Sequence, residues 1–365
     1  MLRRYVALEI VVPFAAWMAL LCVLLFVMAF MRGSEILLGS AVTLGDFARF
    51  TLYLLPSFLV QALPIAFLLA ILLGLGRLVE DRELRAMQAL GVSPGALFGA
   101  PVALGVVLSA ALAVLMASLQ PWGQSMVRWA ANDIIRRNLM HDVKPGLFHE
   151  ELLGFTLYVE DATPDGRWRH VMVHDGRDPR QPLLVLAKAG GVRGTEWSDA
   201  VAFELSDGRI HRAGTEPGSY EALSFAHASL RAGIGESLYR KNQFQTSREE
   251  QTPGELLEAI ADADGEGEDS RPLRVTFHWR LGQMLMPLAF AFLGAPLAIL
   301  RRGGRGAGVL FTLVGYAAYY VVARLAVQLA DAGALWPPLA GQVANALFLA
   351  LGAWLMWRVA RKGGA

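Results

Sequence analysis

Long apolar segments alternate with short polar ones along the chain, and one polar segment is far longer than the rest. Six apolar segments each reach the roughly 20 residues that a helix needs to cross a bilayer. They are Val6–Met31, Thr51–Gly76, Leu97–Leu119, Leu281–Leu300, Ala307–Ala330 and Leu335–Trp357. Three precede and three follow a polar region, Gln120 to Arg274. The pattern therefore predicts an α-helical integral membrane protein with six transmembrane helices, three on each side of an inserted domain.

The inserted region changes from helical to strand-like patterning. Four short segments are rich in β-branched or aromatic residues: Phe155–Glu160, His170–His174, Leu183–Ala187 and Val201–Leu205. Asp-Gly pairs supply turn chemistry between them, at Asp165-Gly166, Asp175-Gly176 and Asp207-Gly208. Several short strands separated by turns predict an all-β domain, either a sandwich, a jelly roll or a related open β fold.

Helical segments flank the predicted β domain. Residues 122–140 extend the third apolar segment, and Thr252 with Glu255 forms a capping-box pattern before a second helix. The acidic, glycine-containing residues 262–270 that follow predict a mobile linker. The expected domains are transmembrane helices 1–3 at 1–120, the β domain with its flanking helices and linker at 121–274, and transmembrane helices 4–6 at 275–365.

Composition agrees with the membrane assignment. The chain is 55% hydrophobic and 18% charged, whereas soluble domains are about 45–50% apolar and about 25% charged. Its single cysteine, Cys22, excludes a disulfide framework within the chain and a cysteine-based metal site. The N-terminal apolar run reaches Met31, which is longer than the hydrophobic part of a signal peptide. We therefore interpret it as a retained first transmembrane helix.

Basic residues in the short loops predict the orientation. Loops on one side of the predicted bundle carry most of them, at Arg3, Arg4, Arg77, Arg82, Arg85, Arg301, Arg302, Arg305, Arg358, Arg361 and Lys362. The opposite short loops carry only Arg32 and Arg49. Since basic loops stay in the cytoplasm, both termini are expected there, and the β domain is expected outside the cytoplasm.

The motifs of several enzyme classes are absent from the sequence. It contains no GxxxxGK[ST] phosphate loop, no HExxH and no GxSxG. Its seven histidines are scattered and form no ligand set. We therefore expect a non-catalytic chain with no cofactor, no metal ion and no nucleic-acid partner.

Residues 75 to 95, LGRLVEDRELRAMQALGVSPG, form a charged loop between the second and third apolar segments. We expect a helix over residues 77–91 that ends at Gly91, and in it Arg77, Asp81 and Arg85 form a row of alternating charge. An apolar stripe follows on the same helix at Leu84, Met87 and Leu90. An interfacial helix on lipid headgroups and a coupling helix that docks on a cytoplasmic partner both fit this pattern. A chain without its own nucleotide site must borrow energy, which gives the second interpretation a function.

Three stretches carry a resemblance to a known family. They are GLGRLVEDRELRAMQALGVSP in the loop, VKPGLFHEELLGFTLYVED in the insert and RVTFHWRLGQMLMPLAFAFLGAPLAI at the fourth apolar segment. In this order and on this topology they resemble the lipopolysaccharide-export permeases LptF/LptG (YjgP/YjgQ) over essentially the whole chain. The KPGxF and LYV elements are more similar to LptF-like members.

The resemblance implies a periplasmic β-jellyroll and a heterodimer of LptF-like and LptG-like chains in the inner membrane of a Gram-negative bacterium. It also implies a cytoplasmic LptB-like ATPase dimer beneath the pair and periplasmic LptC/LptA-like jellyroll bridge proteins. In that family a glutamate of the loop between the second and third spans contacts the ATPase, and here it matches Glu83. We expect Glu80, Arg77, Arg85 and Met87 to take part in the same contact.

Cations near the outer ends of the predicted spans are candidates for binding lipopolysaccharide phosphates. Arg32 ends the first span, His278 and Arg280 precede the fourth, and Arg324 lies inside the fifth with Gln328 one turn further on. An ionisable residue within a span is a functional hypothesis by default, and arginine suits bidentate phosphate binding. Interfacial anchoring of Arg32 and Arg280, and snorkelling of Arg324 to the headgroups, are the alternatives.

We expect the chain to be a transmembrane subunit of an exporter that extracts lipopolysaccharide from the outer leaflet of the inner membrane. A partner ATPase would supply the energy, and the lipid would pass to a periplasmic bridge. Two alternatives remain: a permease for another lipidated cargo, as in lipoprotein release, and a membrane-anchored periplasmic scaffold that moves no lipid.

Overall fold

A computed structural model of the chain describes residues 2–37, 43–141, 145–149, 155–163, 167–176, 182–194, 200–213, 220–233, 251–300 and 305–362. The chain divides into two compact units. The first comprises Met1–Ala29, Leu54–Gly123 and Arg248–Ala365, and the second comprises Phe30–Tyr53 and Gln124–Ser247. Most residues of the membrane-spanning helices belong to the first unit, and the whole β sheet belongs to the second.

The first half of the chain is helical. Its elements are α1 (Leu2–Leu37), α2 (Leu44–Glu80), the short α3 (Glu83–Ala89), a 3₁₀ turn (Pro94–Leu97), α4 (Gly99–Val114), a π-helical turn (Leu115–Leu119) and α5 (Gln120–His141). Three segments here are long and apolar enough to cross a membrane: Leu2–Met31, Leu44–Glu80 and Gly95–Ala130. They confirm the first three predicted spans.

Helices return after the sheet. They are α6 (Pro253–Glu266), α7 (Arg271–Met284), α8 (Met286–Leu300), α9 (Arg305–Asp331) and α10 (Pro337–Lys362). Helices α9 and α10 each qualify as spans, and α7 and α8 qualify together as a pair bent by 43°. With this pair counted as one span, the described residues contain six, three on each side of a β domain.

The bend in the fourth span was not predicted from sequence. Helix begins at Arg271, well before the predicted start at Leu281, and breaks at Leu285. Pro287 follows at the start of α8, where its ring cannot donate a backbone hydrogen bond and clashes with the preceding turn. The backbone N–H of Leu288 donates to the Ser109 hydroxyl oxygen of α4 at 3.1 Å. The bend is therefore fixed from the neighbouring helix.

Helix α2 is the centre of the first unit. Of its most apolar 18-residue window 72% is buried, against 6% for α1. Phe67, Ile71 and Leu72 of α2 are fully buried and pack with Phe290 of α8. Because α2 is covered on nearly all sides, it provides the fixed frame against which the other helices lie.

Helices α7 and α10 touch through their backbones. A Cβ placed on Gly282 would lie 2.0 Å from the carbonyl oxygen of Gly341, so only glycine fits there. Asn345 of α10 is 2% exposed, donates to the Gly282 carbonyl at 2.8 Å and accepts from the Tyr319 hydroxyl of α9 at 2.8 Å. This buried polar network holds three transmembrane helices together, as polar groups do in lipid.

The sheet of the second unit is an antiparallel meander. Its strands are β1 (Phe148–His149), β2 (Phe155–Ala162), β3 (Trp168–Asp175), β4 (Leu183–Gly194), β5 (Ala200–Ala213) and β6 (Tyr220–Gly233), each paired with the next. All four predicted strands are confirmed within β2 to β5. Strands β1 and β6 were not predicted.

One predicted turn is wrong. Asp207-Gly208 lies inside β5, where Asp207 has a φ of 49°. The pair bends the strand but does not end it. Asp175 does end β3, as predicted, while Asp165-Gly166 lies outside the described residues.

In each pair of neighbouring strands from β2 to β6, one pair of facing residues is not bridged, and these unbridged positions line up across the sheet. The unbridged row runs across the sheet through Glu160, His170, Lys188, Asp207 and Ala226. His170 shares the positive φ of Asp207. On either side of this row, which we call the fold row, the inward positions shift by one residue. In β3, for example, Trp168 and then Val171 and Val173 are buried.

The fold row turns the sheet back on itself. Phe155 of β2 is in register with Arg212 of β5, which is nine residues from Phe203. On a flat sheet these nine residues alone would separate the two rings by about 30 Å along the strand direction. Their ring centroids are 6.3 Å apart. Phe203 also contacts Trp168 at 6.2 Å. The two halves of one sheet therefore enclose a shared apolar core.

The connection into the second helical half is shorter than predicted. The capping box at Thr252 and Glu255 is confirmed, and it begins α6. The predicted linker at residues 262–270 is wrong in its first half, because α6 continues to Glu266. Gly267, with φ 74°, ends that helix. The Ser270 hydroxyl and the Arg274 guanidinium then donate to the Asp264 carboxylate, which ties α6 to α7.

Candidate functional site

The charged loop is two short pieces and not one helix. Helix α2 ends at Glu80, and α3 begins at Glu83. Arg82 between them has a φ of 60°, a left-handed conformation that no continuing α-helix can contain. The predicted helix over residues 77–91 is therefore wrong. The alternating charge row is also incomplete: Arg77 and Asp81 pair at 3.3 Å, but Arg85 has no ion pair among the described residues.

Glu83 is the first residue of α3 and is half-buried. Its Oε2 accepts a hydrogen bond of 2.6 Å from the hydroxyl of Tyr5 in α1. On the α2 side of the break, Arg77 also contacts Glu9 of α1, at 3.7 Å. The loop is thus in polar contact with the first transmembrane helix on both sides of the break at Arg82.

Helix α3 has an inner and an outer side. Leu84 is 7% exposed, and Met87 packs against the core of the first unit. On the outer side Arg85 is exposed and Leu90 is 85% exposed. Gly91, with φ 86°, ends the helix as predicted, and its N–H donates to the Gln88 carbonyl. The loop therefore presents a fixed surface that contains Glu83 and Arg85, while Met87 anchors it from beneath.

Glu80 is exposed at the last position of α2. It belongs to the helix before the break, whereas Glu83 begins the helix after it. The two predicted acidic coupling residues therefore lie on different elements. Only Glu83 is in contact with Tyr5 through a hydrogen bond.

Arg324 lies on an exposed apolar face of α9. Val321, Leu325 and Leu329 are 55%, 54% and 51% exposed around it. Its Nε and Nη2 donate to the Tyr320 hydroxyl at 2.9 and 2.8 Å. The guanidinium also lies 5.3 Å from the Trp279 ring of α7 and 5.2 Å from the Tyr320 ring, which is cation–π range.

No carboxylate of the described residues lies within salt-bridge range of Arg324. Its only hydrogen-bond partner there is the neutral Tyr320 hydroxyl. Arg324 is therefore a cation that aromatic side chains hold and that no carboxylate of the described residues pairs. That arrangement can accept an anion, and a phosphate group fits the remaining donors of the guanidinium fork.

Arg280 has a different environment. It is 5% exposed, and its guanidinium donates to two backbone carbonyls, of Gln251 and Met116. Met116 lies in the π-helical turn, where the change in hydrogen-bond spacing frees a carbonyl. Arg280 thus compensates an irregularity of the third span. Its guanidinium is bonded to backbone inside the protein, whereas the Arg324 side chain is exposed.

The remaining lipid-binding candidates contribute less. His278 is half-buried beside the Phe277 ring, at a centroid distance of 5.3 Å. Gln328 is exposed on the same face of α9 as Arg324, one turn away. Arg32 lies in α1, but its side chain lies outside the described residues.

Sequence reasoning missed three aromatic residues at these sites. The spacing of Tyr320 and Arg324, one helical turn, was a usable signal. Trp279 comes from another helix, and Tyr5 is 78 positions from its partner, so nothing local indicated either contact. Within the described part of the chain, no group of three or more His, Cys, Asp or Glu side chains could hold a metal ion.

Comparison with known proteins gives one full-length result. No curated protein sequence matches the chain. The model of the family described as lipopolysaccharide export system permease LptF/LptG matches residues 4–358. That match includes the charged loop, all six spans and the inserted β domain. The chain therefore belongs to the LptF/LptG family of lipopolysaccharide export permeases.

Proposed function

We propose that this chain is the transmembrane subunit of an ABC-type exporter that takes lipopolysaccharide from the outer leaflet of the inner membrane. Membership of the family makes it a permease component of lipopolysaccharide export and a multi-pass inner-membrane protein. The proposal adds the ATPase partner, the direction of transport and the residues involved. The chain itself performs no bond chemistry.

The observation that carries the proposal is Arg324, the cation on α9 whose partners in the described part of the chain are aromatic side chains. A charge exposed on an apolar transmembrane face is costly, and Arg324 lies seven residues before the end of the helix at Asp331, about 10 Å along the axis. The basic-loop rule puts that end at the outer surface. Lipopolysaccharide carries phosphates on its sugar headgroup at this depth, so Arg324 can pair with one of them while Val321 and Leu325 contact acyl chains.

The source of energy lies outside the chain. The sequence has no phosphate loop, and Glu83 on the anchored α3 is the residue we assign to contact a partner ATPase, with Glu80 and Arg85 beside it. The partners are a second, LptG-like permease chain if this one is LptF-like, and an LptB-like ATPase dimer. Leu84 and Met87 support the proposal because they fix α3 to the transmembrane core.

We propose that the lipid moves from the membrane to the folded β sheet. Both halves of the sheet line one apolar interior, and we assign it to the periplasm because the basic loops lie on the opposite side of the membrane. Acyl chains leaving the membrane would enter it and pass on to LptC/LptA-like jellyroll proteins.

The test is the lipid that copurifies with the complex. Arg324→Gln keeps length and polarity but removes the charge, and we expect retained lipopolysaccharide to fall about ten-fold, since hydrogen bonds to charged groups are worth about 1.5–3 kcal/mol. The matched control is Arg358→Gln, because Arg358 also lies over an aromatic ring, Trp354, at 5.4 Å, but near the far end of α10.

Mass spectrometry of the bound lipid separates the outcomes. Lipopolysaccharide in the parent and in Arg358→Gln, with loss in Arg324→Gln, supports the proposal. Phospholipid alone in the parent complex contradicts it. A bound lipopeptide would favour release of a lipidated protein, and absence of any copurifying ATPase would favour a scaffold.

A further inference from the structure

The bond between Tyr5 and Glu83 joins two distant parts of the chain. The Tyr5 hydroxyl donates to the Glu83 carboxylate at 2.6 Å, the length typical of a charge-assisted O–H···O⁻ bond. Tyr5 is in the first two turns of α1, and Glu83 begins α3. The hydroxyl thus fixes one carboxylate oxygen of the residue that we assign to the ATPase contact.

A second polar contact joins the same two regions. Glu9, one turn beyond Tyr5, pairs with Arg77 at 3.7 Å, and Arg77 also pairs with Asp81 at 3.3 Å. Arg77 precedes the left-handed break at Arg82, whereas Glu83 follows it. Helix α1 therefore holds the loop on both sides of its bend.

The backbones approach closely at the same level. A Cβ on Gly74 of α2 would lie 2.2 Å from the Glu9 carbonyl oxygen, so α1 and α2 are in direct backbone contact there. Val6 and Ile10 are buried at 1% and 0% exposure, and Phe14 contacts Phe67 of α2 edge to face, with centroids 6.1 Å apart. The first third of α1 is firmly attached.

The rest of α1 is mostly exposed within the chain. Leu20, Val23, Leu24 and Met31 are 55%, 60%, 54% and 71% exposed, and only 6% of the most apolar window of α1 is buried. Helix α1 is continuous from Leu2 to Leu37, through Pro13, so a displacement of its attached end reaches the exposed part through the helix backbone.

We propose that Tyr5 is a positioning residue for Glu83, and that α1 is the transmembrane helix that receives displacement of the coupling loop. This inference rests on the proposed coupling role of Glu83. A carboxylate has about four acceptor positions, so the bond from Tyr5 leaves room for a cation of the partner. Holding the side chain in one rotamer reduces the entropy lost when that partner binds.

The test uses the complete complex with its partner permease and ATPase, in nanodiscs that contain lipopolysaccharide. Tyr5→Phe removes only the hydroxyl, and we expect lipopolysaccharide-stimulated ATP hydrolysis to fall about two- to ten-fold, the range that one hydrogen bond accounts for. Glu83→Gln should lower it at least as much. The double variant should equal Glu83→Gln alone, because Tyr5 acts only by positioning the Glu83 carboxylate, which Glu83→Gln has already replaced by a neutral amide.

Tyr158→Phe is the matched control. Tyr158 is in β2 but does not belong to the apolar interior that we assign to acyl chains. Its ring contacts Phe148 at a centroid distance of 5.0 Å, and its hydroxyl makes no hydrogen bond to the described residues. We expect parental activity. A loss in Tyr5→Phe no larger than in this control overturns the inference, and so does a double variant whose loss is the product of the two single losses.

Failure of the proposed function gives a different result. If Glu83→Gln keeps full stimulation, the coupling role itself is wrong, whatever Tyr5→Phe does. If Glu83→Gln loses stimulation and Tyr5→Phe does not, the coupling role stands and only the positioning by Tyr5 is wrong.

A distance measurement tests the displacement of α1 and does not depend on turnover. Spin labels at Val27 of α1 and Leu325 of α9, in a Cys22→Ala background, report on the far ends of these helices. We expect their separation to differ between nucleotide-free and vanadate-trapped complexes, and the difference to shrink in Tyr5→Phe. An equal change in both proteins overturns the role of α1, as does no change in the parent.

Discussion

Arg280 and Arg324 look alike in the sequence, because both lie near the outer end of a predicted span. In the structure, α7 buries Arg280 to 5% exposure, and two backbone carbonyls accept from its guanidinium. Helix α9 leaves Arg324 exposed over two aromatic rings. The acceptors around a cation in a membrane protein, and not its depth, therefore show whether it is structural or available to a ligand.

Removing Arg280 should have the largest effect. Arg280→Met fills much of the same volume but leaves the Met116 and Gln251 carbonyls without this donor, which we expect to cost about 3 kcal/mol of folding free energy. Thermal unfolding of the purified chain in detergent measures it, with Arg324→Met as the matched variant of near-parental stability. Normal stability of Arg280→Met together with lost lipid would make Arg280 a ligand and remove the contrast.

Changing Arg324 to lysine should have an intermediate effect. Arg324→Lys keeps the charge but loses the planar fork that stacks on Trp279 and donates twice to Tyr320. We expect lipopolysaccharide binding to weaken about two- to five-fold, the range of an exposed cation–π contact. Titration of lipid-depleted complex with lipopolysaccharide measures this. If Arg324→Lys bound lipopolysaccharide as weakly as Arg324→Gln does, the positive charge would contribute nothing without the planar guanidinium group.

The junction that leads into α7 should show the smallest effect, and it depends on pH. The Ser270 hydroxyl, and next the Arg274 guanidinium, hold the pKa of Asp264 below its ordinary value of 3.8. A lowered carboxyl pKa adds stability above the ordinary value, and that stability is lost as pH falls through the lowered pKa. Hydrogen exchange at the start of α7 should therefore be constant from pH 8 to 5 and rise below about pH 4, after correction for intrinsic exchange.

Asp264→Asn is the control for that measurement. It cannot ionise, so the corrected exchange at residues 271–274 should be faster than in the parent at neutral pH and should change little with acid. A parental pH profile in Asp264→Asn would show that another group governs the junction.

The parts of the fold that follow from local patterning were predictable. The length of the apolar segments predicted the spans, and the strand-like composition with its turn residues predicted β2 to β5. The capping box at Thr252 predicted the start of α6. Strand β6 was not predicted because its sequence, YEALSFAHASLRAG, is rich in alanine and serine, which have little preference for strands. The bend at Leu285 had a sequence cue in Pro287, but one that a span tolerates as often as it breaks.

The site was predictable only in part. The loop, Glu83 and Arg324 stand out by charge in apolar surroundings. Their partners do not, because Tyr5 and Trp279 reach them through tertiary packing. The left-handed Arg82 was equally hidden, since arginine is a good helix former and its propensity predicts the continuous helix that the structure lacks.

The fold row of the β domain has a consequence for how the sheet assembles. Since inward positions shift by one residue at the same row in β2 to β6, each strand carries two alternating patterns out of phase. A strand that slipped by one residue would send its apolar side chains outward, and would also move its own bend away from that of its neighbours. A deletion of one residue within a strand should therefore be far less tolerated than one between strands. The shared position of the bend therefore fixes the register of each strand against its neighbour as the sheet forms.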